Sequence, residues 1–170
     1  MNLKKNLVFL GMMGSGKSSI GSLVSKKLSR KFIDIDNLIE AEAGMCITNI
    51  FEEKGENYFR NLEEKITLKA LKTFNSVVSL GGGSFINEKI RLAILTNHYS
   101  FWLNLDEAIL LKRIKDNKKR PLAFKSTNSQ IRQLIKKRSI IYSKAQFKIN
   151  CNKLTKNEIV KNVIKTYELI

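Results

Sequence analysis

One proline, one histidine, two cysteines and no long apolar run mark what this 170-residue chain has little of. Each scarcity excludes something. A lone His98 leaves no multi-histidine metal site, and no GxSxG-type elbow supplies a nucleophile for a hydrolase triad to pair with it. Cys46 and Cys151 lie far apart and belong to no CxxC pair, so two buried free thiols are expected rather than a disulfide framework. No stretch approaches the roughly 20 apolar residues of a membrane span. The basic start "MNLKKNLVFLGMMG" carries an apolar run of only about four residues before glycines and a lysine, too short for a secretory signal. A cytoplasmic protein without a membrane partner is expected.

Acidic residues are also few, 15 against 31 lysines and arginines, which leaves a net charge of +16. That excess can serve nucleic acid or acidic small molecules. The lysines are spread along the chain without aromatic interleaving, so no nucleic-acid partner is expected. A denser cluster runs from Lys112 to Arg120. With no linker, repeat or low-complexity tract, residues 1–170 read as a single domain large enough to bury a core.

What is present alternates. Apolar segments of strand length at 6–11, 31–36, 76–83, 99–105 and 147–151 are separated by segments with helical spacing. One of these is the amphipathic stretch 56–74, with Phe59, Leu62, Ile66 and Ala70 on one face. Crossovers of this length predict parallel strands in an α/β layer fold. A glycine-rich loop follows the first strand, two aspartates end the second and three glycines end the third. In a parallel sheet those ends share one edge, where ligands of α/β proteins bind.

The first of these is the most specific. "GMMGSGKS", residues 11–18, matches G-x-x-x-x-G-K-[ST] between a strand and a helix. Glycines allow a close backbone wrap whose N–H groups meet phosphate, Lys17 adds a charge on the outer phosphates, and Ser18 offers a hydroxyl to Mg²⁺. The helix that follows turns its positive end to the anion. Asp34 and Asp36, two apart on the expected strand, share a face. That face could simply be solvated; beside a phosphate loop, one carboxylate could reach Mg²⁺ through water and the other accept the proton of an attacking hydroxyl. Arg60, with Glu63 one turn on, reads by default as a surface arginine in a helical pair. Gly81–Gly83 let a ligand touch backbone, and "NKKRPLAF" at 117–124 reads either as a solvated turn or as a cationic loop over the phosphate site. Asp106 after "FWLNL" reads as a helix cap rather than a metal ligand.

Taken together, "GMMGSGKSSIG", "FIDID", "ENYFRNLEEK", "LGGGS", "KKRPL" and "KKRSIIY" resemble the shikimate kinase family in order and spacing, over roughly residues 6–145. The resemblance implies a nucleoside-monophosphate-kinase-like three-layer α/β sandwich. Its five-stranded parallel sheet would have the order 2-3-1-4-5, with a lid around 112–125. It implies transfer of the ATP γ-phosphoryl group to the 3-hydroxyl of shikimate, in the biosynthesis of aromatic amino acids through chorismate. By the same resemblance Gly14, Ser15, Gly16, Lys17, Ser18 and Ser19 hold ATP phosphates, with one Mg²⁺ on Ser18 and Asp34 near it through water. Asp36 binds the shikimate hydroxyls and is the candidate base. Arg60 and Arg138 clamp the shikimate carboxylate, Gly82 gives a backbone contact, and Arg120 is the lid arginine over the ATP phosphates, catalytic together with Lys17 and Asp36. A monomer is expected. In one respect the chain departs from the pattern: Ile140 and Ile141 stand where the family often has Pro-Leu between Arg138 and Tyr142. Two readings of another kind remain beside this one: a different small-metabolite or nucleotide kinase, and a P-loop protein that binds nucleic acid.

Overall fold

The computed structural model describes residues 5–115 and 126–170. Arg120, Pro121 and most of the expected lid lie outside the described residues; the stretch 112–115 is the last turn of a helix.

The run LVFL forms β1 (Leu7–Leu10), buried at every position as a central parallel strand must be. The P-loop leads into α1 (Lys17–Lys27), and β2 (Lys31–Asp34) and α2 (Ile35–Ala43) follow. Gly44, at φ 67°, stops α2 in the left-handed conformation. A short helical turn α3 (Ile47–Asn49) runs into a π-helical turn, Ile50–Lys54, and then into α4 (Gly55–Leu71). Next come β3 (Ser76–Ser79), a 3₁₀ turn at Ser84–Ile86, α5 (Glu88–Asn97), β4 (Tyr99–Asn104) and α6 (Glu107–Lys115). Beyond residue 125 lie α7 (Asn128–Tyr142), β5 (Phe147–Asn150) and α8 (Lys156–Glu168).

The five strands pair in parallel in the order β2-β3-β1-β4-β5. Helices pack around the sheet, α1 against β3 and α8, and α4 against α2 and α5. The C-terminal ends of β1, β2 and β3 therefore lie side by side and carry the P-loop, the Asp34–Asp36 segment and the glycine run to one place. Among the described residues no helix is long and apolar enough to cross a membrane.

Two details differ from the sequence reading. The second strand stops at Asp34, not at residue 36, because Asp34 caps α2: its Oδ1 accepts from Asp36 N at 3.0 Å and Asn37 N at 3.4 Å. The two aspartates therefore do not share a strand face, and Asp36 lies in the first helical turn. Cys151 is buried as expected, its thiol pushed up to about 11 by that burial, but Cys46 is exposed. It sits at the N-terminus of α3, with Sγ 3.2 Å from Asn49 Oδ1. The departure at Ile140 and Ile141 leaves α7 unbroken to Tyr142.

Candidate active site

The phosphate cradle is built by backbone. Gly14 at φ 79° and Gly16 at φ 91° take conformations that side-chain-bearing residues avoid, and Gly16 opens α1 without a side-chain cap. The uncapped N–H groups of that first turn remain for an anion. A cavity of about 230 Å³ lies over them, walled by Met13, Gly14, Gly16, Lys17, Ser18, Ser19, Asp36 and Arg113 among others. Lys17 is buried, its Nζ donating to the carbonyls of Gly11 and Met12 at 3.0 Å each. Ser15 turns inward, buried, toward Gly11, so it faces the cavity with no side chain. Ser18 Oγ stands 3.4 Å from Ser79 Oγ, and Ser79 is the register partner of Asp34. The Asp34 side chain itself caps α2 and lines the hollow between α2 and α4, not the phosphate cavity. The surface hollow of about 540 Å³ between α2 and α4 is larger but gathers apolar side chains and lysines rather than phosphate-wrapping backbone.

On the far side of Met13 and Asp36 lies a second, smaller hollow of about 30 Å³, lined also by Ile47, Phe51, Phe59, Arg60, Glu63, Gly82, Gly83 and Arg138. Here side chains do the work. Arg60 is half-buried and laid over the Phe59 ring, 5.1 Å from its centroid. Its Nη1 donates to Glu63 Oε2 at 2.7 Å, and its Nε and Nη2 donate to Glu56 Oε1 at 3.2 Å. Burial works against the charge on Arg60, but Glu63 and Glu56 outweigh it and hold the guanidinium above its ordinary pKa. Glu63 is itself buried, its other oxygen accepting from Ser84 Oγ at 2.7 Å. A Cβ on Gly81 would stand 2.8 Å from both Asp36 Oδ1 and Glu63 Oε1. Only glycine lets those two carboxylates approach the same point. Arg138 reaches in from α7, its Nη1 donating to the Gly82 carbonyl at 3.2 Å.

The expected residues Lys17, Ser18, Ser19, Asp36, Arg60, Gly82 and Arg138 therefore meet around two adjoining hollows, with Asp36 and Met13 in the shared wall. Asp34 is not among the residues lining these hollows; it serves as the cap of α2. Asp106 is engaged elsewhere. Its Oδ1 accepts from Asn152 Nδ2 at 2.7 Å, while its own N–H donates back to Asn152 Oδ1 at 2.8 Å.

Sequence reasoning missed three neighbours. Ser84 and Ser79 carry no pattern of their own. Arg113, whose Nη1 donates to Gly14 O at 3.2 Å, is hidden in a run of surface cations.

A glycine-wrapped phosphate cradle at the C-terminal edge of a 2-3-1-4-5 parallel sheet defines a P-loop kinase. The same fold is shared with a deoxyadenosine kinase from M. mycoides, 14% identical, with a TM-score of 0.66 over 97% of this chain and 100% of that one. More closely, the family model for shikimate kinase matches residues 13–168, and the chain belongs to the shikimate kinase family. It is 40% identical over 160 residues to the shikimate kinase of Sulfurihydrogenibium sp. (strain YO3AOP1), spanning 94% of this chain and 96% of that protein. The structure of shikimate kinase from Acinetobacter baumannii in complex with shikimate matches with a TM-score of 0.91 at 26% identity, over 96% of this chain and 93% of that one.

Proposed function

We infer that this chain transfers the γ-phosphoryl group of ATP to the 3-hydroxyl of shikimate, giving shikimate 3-phosphate and ADP. The observation that carries this is Asp36, which borders both the phosphate cavity and the arginine-lined hollow. A carboxylate in that shared wall is placed to bind a hydroxyl and take its proton as the oxygen attacks the γ-phosphorus and the bridging β,γ-oxygen leaves with ADP. Lys17 and the backbone of Gly14 to Ser19 hold the phosphates. Arg60 and Arg138 clamp the substrate carboxylate, for which the guanidinium fork is the matching shape, and Gly82 supplies backbone contact. The A. baumannii relative is in complex with shikimate, which supports shikimate as the phosphoryl acceptor.

The donors present suit Mg²⁺. Among the described residues no three His, Cys, Asp or Glu side chains gather into a cage. Mg²⁺ instead prefers phosphate oxygens, water and one or two protein oxygens, which Ser18 and, through water, Asp34 would provide. When bound, the ion neutralises charge on the transferring phosphoryl group. Arg120 completes the reading as the lid arginine on the family resemblance alone. The reading takes the chain as a single domain over 1–170 that works as a monomer in the cytoplasm. Neither nucleic acid nor membrane has a part in it.

Coupled measurement of ADP release, with the product checked for phosphate on the 3-hydroxyl, tests the reading. Release that requires shikimate is expected; release at the same rate with ATP alone would overturn it.

A further inference from the structure

We propose that Tyr142 is a positioning residue for shikimate, fixing the Gly82 carbonyl against which the Arg138 guanidinium is itself held; this rests on the reading of Gly82 and Arg138 just given. Tyr142 ends α7 one helical turn after Arg138, so the two side chains lie on the same helix face. They reach the same acceptor. Arg138 Nη1 donates to Gly82 O at 3.2 Å, and Tyr142 Oη donates to that same oxygen. A carbonyl oxygen offers two lone pairs, and these donors use both. The peptide before Gly82 is held as well, because Ser84 N donates to Gly81 O at 3.3 Å. Gly82 therefore forms its part of the hollow's wall with both flanking peptides tied.

The hydroxyl is needed for this and the ring is not. The ring is 2% exposed and packs against Trp102, centroid to centroid 6.1 Å, a role phenylalanine would fill equally. A phenol taken out of water without a partner is destabilising, so its presence there needs a reason, and the Gly82 carbonyl is that reason. Burial also pushes Tyr142 up to about 12, against the pull of Arg138. The group stays a protonated donor through any ordinary working range. Without it, the Gly82 carbonyl keeps Arg138 as its one side-chain donor and is no longer fixed from the core side. The guanidinium, held to a carbonyl that can now shift, loses its set position against the carboxylate it clamps, while the backbone wrap that holds the phosphates is affected less.

Tyr142→Phe tests this, with Trp102, the sole tryptophan, as an in-place fluorescence reporter. Shikimate KM and Kd are expected to rise roughly 3–10-fold, the range of one hydrogen bond, with kcat and ATP KM changing less than about twofold. Arg138→Ala is measured alongside and should raise shikimate KM further. If Arg138→Ala raises shikimate KM and Tyr142→Phe does not, the role of Tyr142 is overturned and the clamp stands. If neither does, both fall. Equal loss of ATP and shikimate affinity in Tyr142→Phe would show a merely structural tyrosine and overturns the proposal too.

Discussion

The wall of the phosphate cavity comes largely from one continuous stretch, residues 13–19, and acts through backbone N–H groups. The adjoining hollow takes Asp36 from α2, Arg60 and Glu63 from α4, Gly82 from the loop after β3, and Arg138 from α7. Its polar side chains are tied to one another or to the loop backbone: Arg60 to Glu63, Glu63 to Ser84, and Arg138 to the Gly82 carbonyl. The contrast has a consequence for mutation. In the cradle loss of Lys17 removes one charge and its bonds to the Gly11 and Met12 carbonyls, while the path set by the glycines remains. In the hollow each side chain holds another, so effects spread along the network and do not add.

Asp36 belongs to both halves, so its loss should break the comparison. Asp36→Asn keeps the size and removes the anionic acceptor, and kcat should fall about 10²–10⁴-fold. A change confined to shikimate KM in steady-state assays would place Asp36 wholly in the second half. Lys17→Ala sharpens the contrast from the other side: kcat should drop roughly 10²–10³-fold in a chain that still folds and still binds shikimate. Circular dichroism and shikimate titration check both conditions.

Glu63→Gln tests the network. It keeps a partner for Ser84 but withdraws the charge beneath Arg60, so shikimate KM should rise about 10-fold with ATP KM unchanged. Stability should fall by roughly 1–2 kcal/mol in urea unfolding, less than for a fully buried pair because Arg60 keeps about a third of its side chain in water.

The smallest effect is a control remote from both halves. His98, buried where α5 meets β4, is held below its ordinary pKa by burial. As pH falls below about 6.5 the unfolded chain takes up the proton first. The contribution is therefore complete above about 6.5 and is lost on going down toward the depressed folded value. One proton bounds the loss at about 1.4 kcal/mol per pH unit. Unfolding of the wild type and His98→Phe across that range should show the slope in the wild type and a weaker one in the variant.

The same contrast explains what the sequence made legible. A cradle set by neighbouring residues is written as a contiguous motif, and strand–helix alternation placed it at the sheet edge. Asp34 misled because an apolar-aspartate alternation suits a strand and a helix cap equally; only the Asp36 N–H on its carboxylate decides between them. Glu63 left a signal, since it falls within the buried stripe of Phe59, Ile66 and Ala70, where a carboxylate must have a partner. Ser84, Arg113 and the bond from Tyr142 to Gly82 left none, because their meaning lies in contacts across dozens of residues. The family resemblance supplied Arg138; periodicity alone would have left it among the surface cations of α7.

The most direct test of the division is a pair of equilibrium titrations, ATP and shikimate, on the wild type, Lys17→Ala and Arg60→Ala. The account predicts a crossed result: Lys17→Ala loses affinity for ATP and keeps shikimate, while Arg60→Ala loses affinity for shikimate and keeps ATP. Parallel loss of both ligands in each variant would contradict two separately built halves.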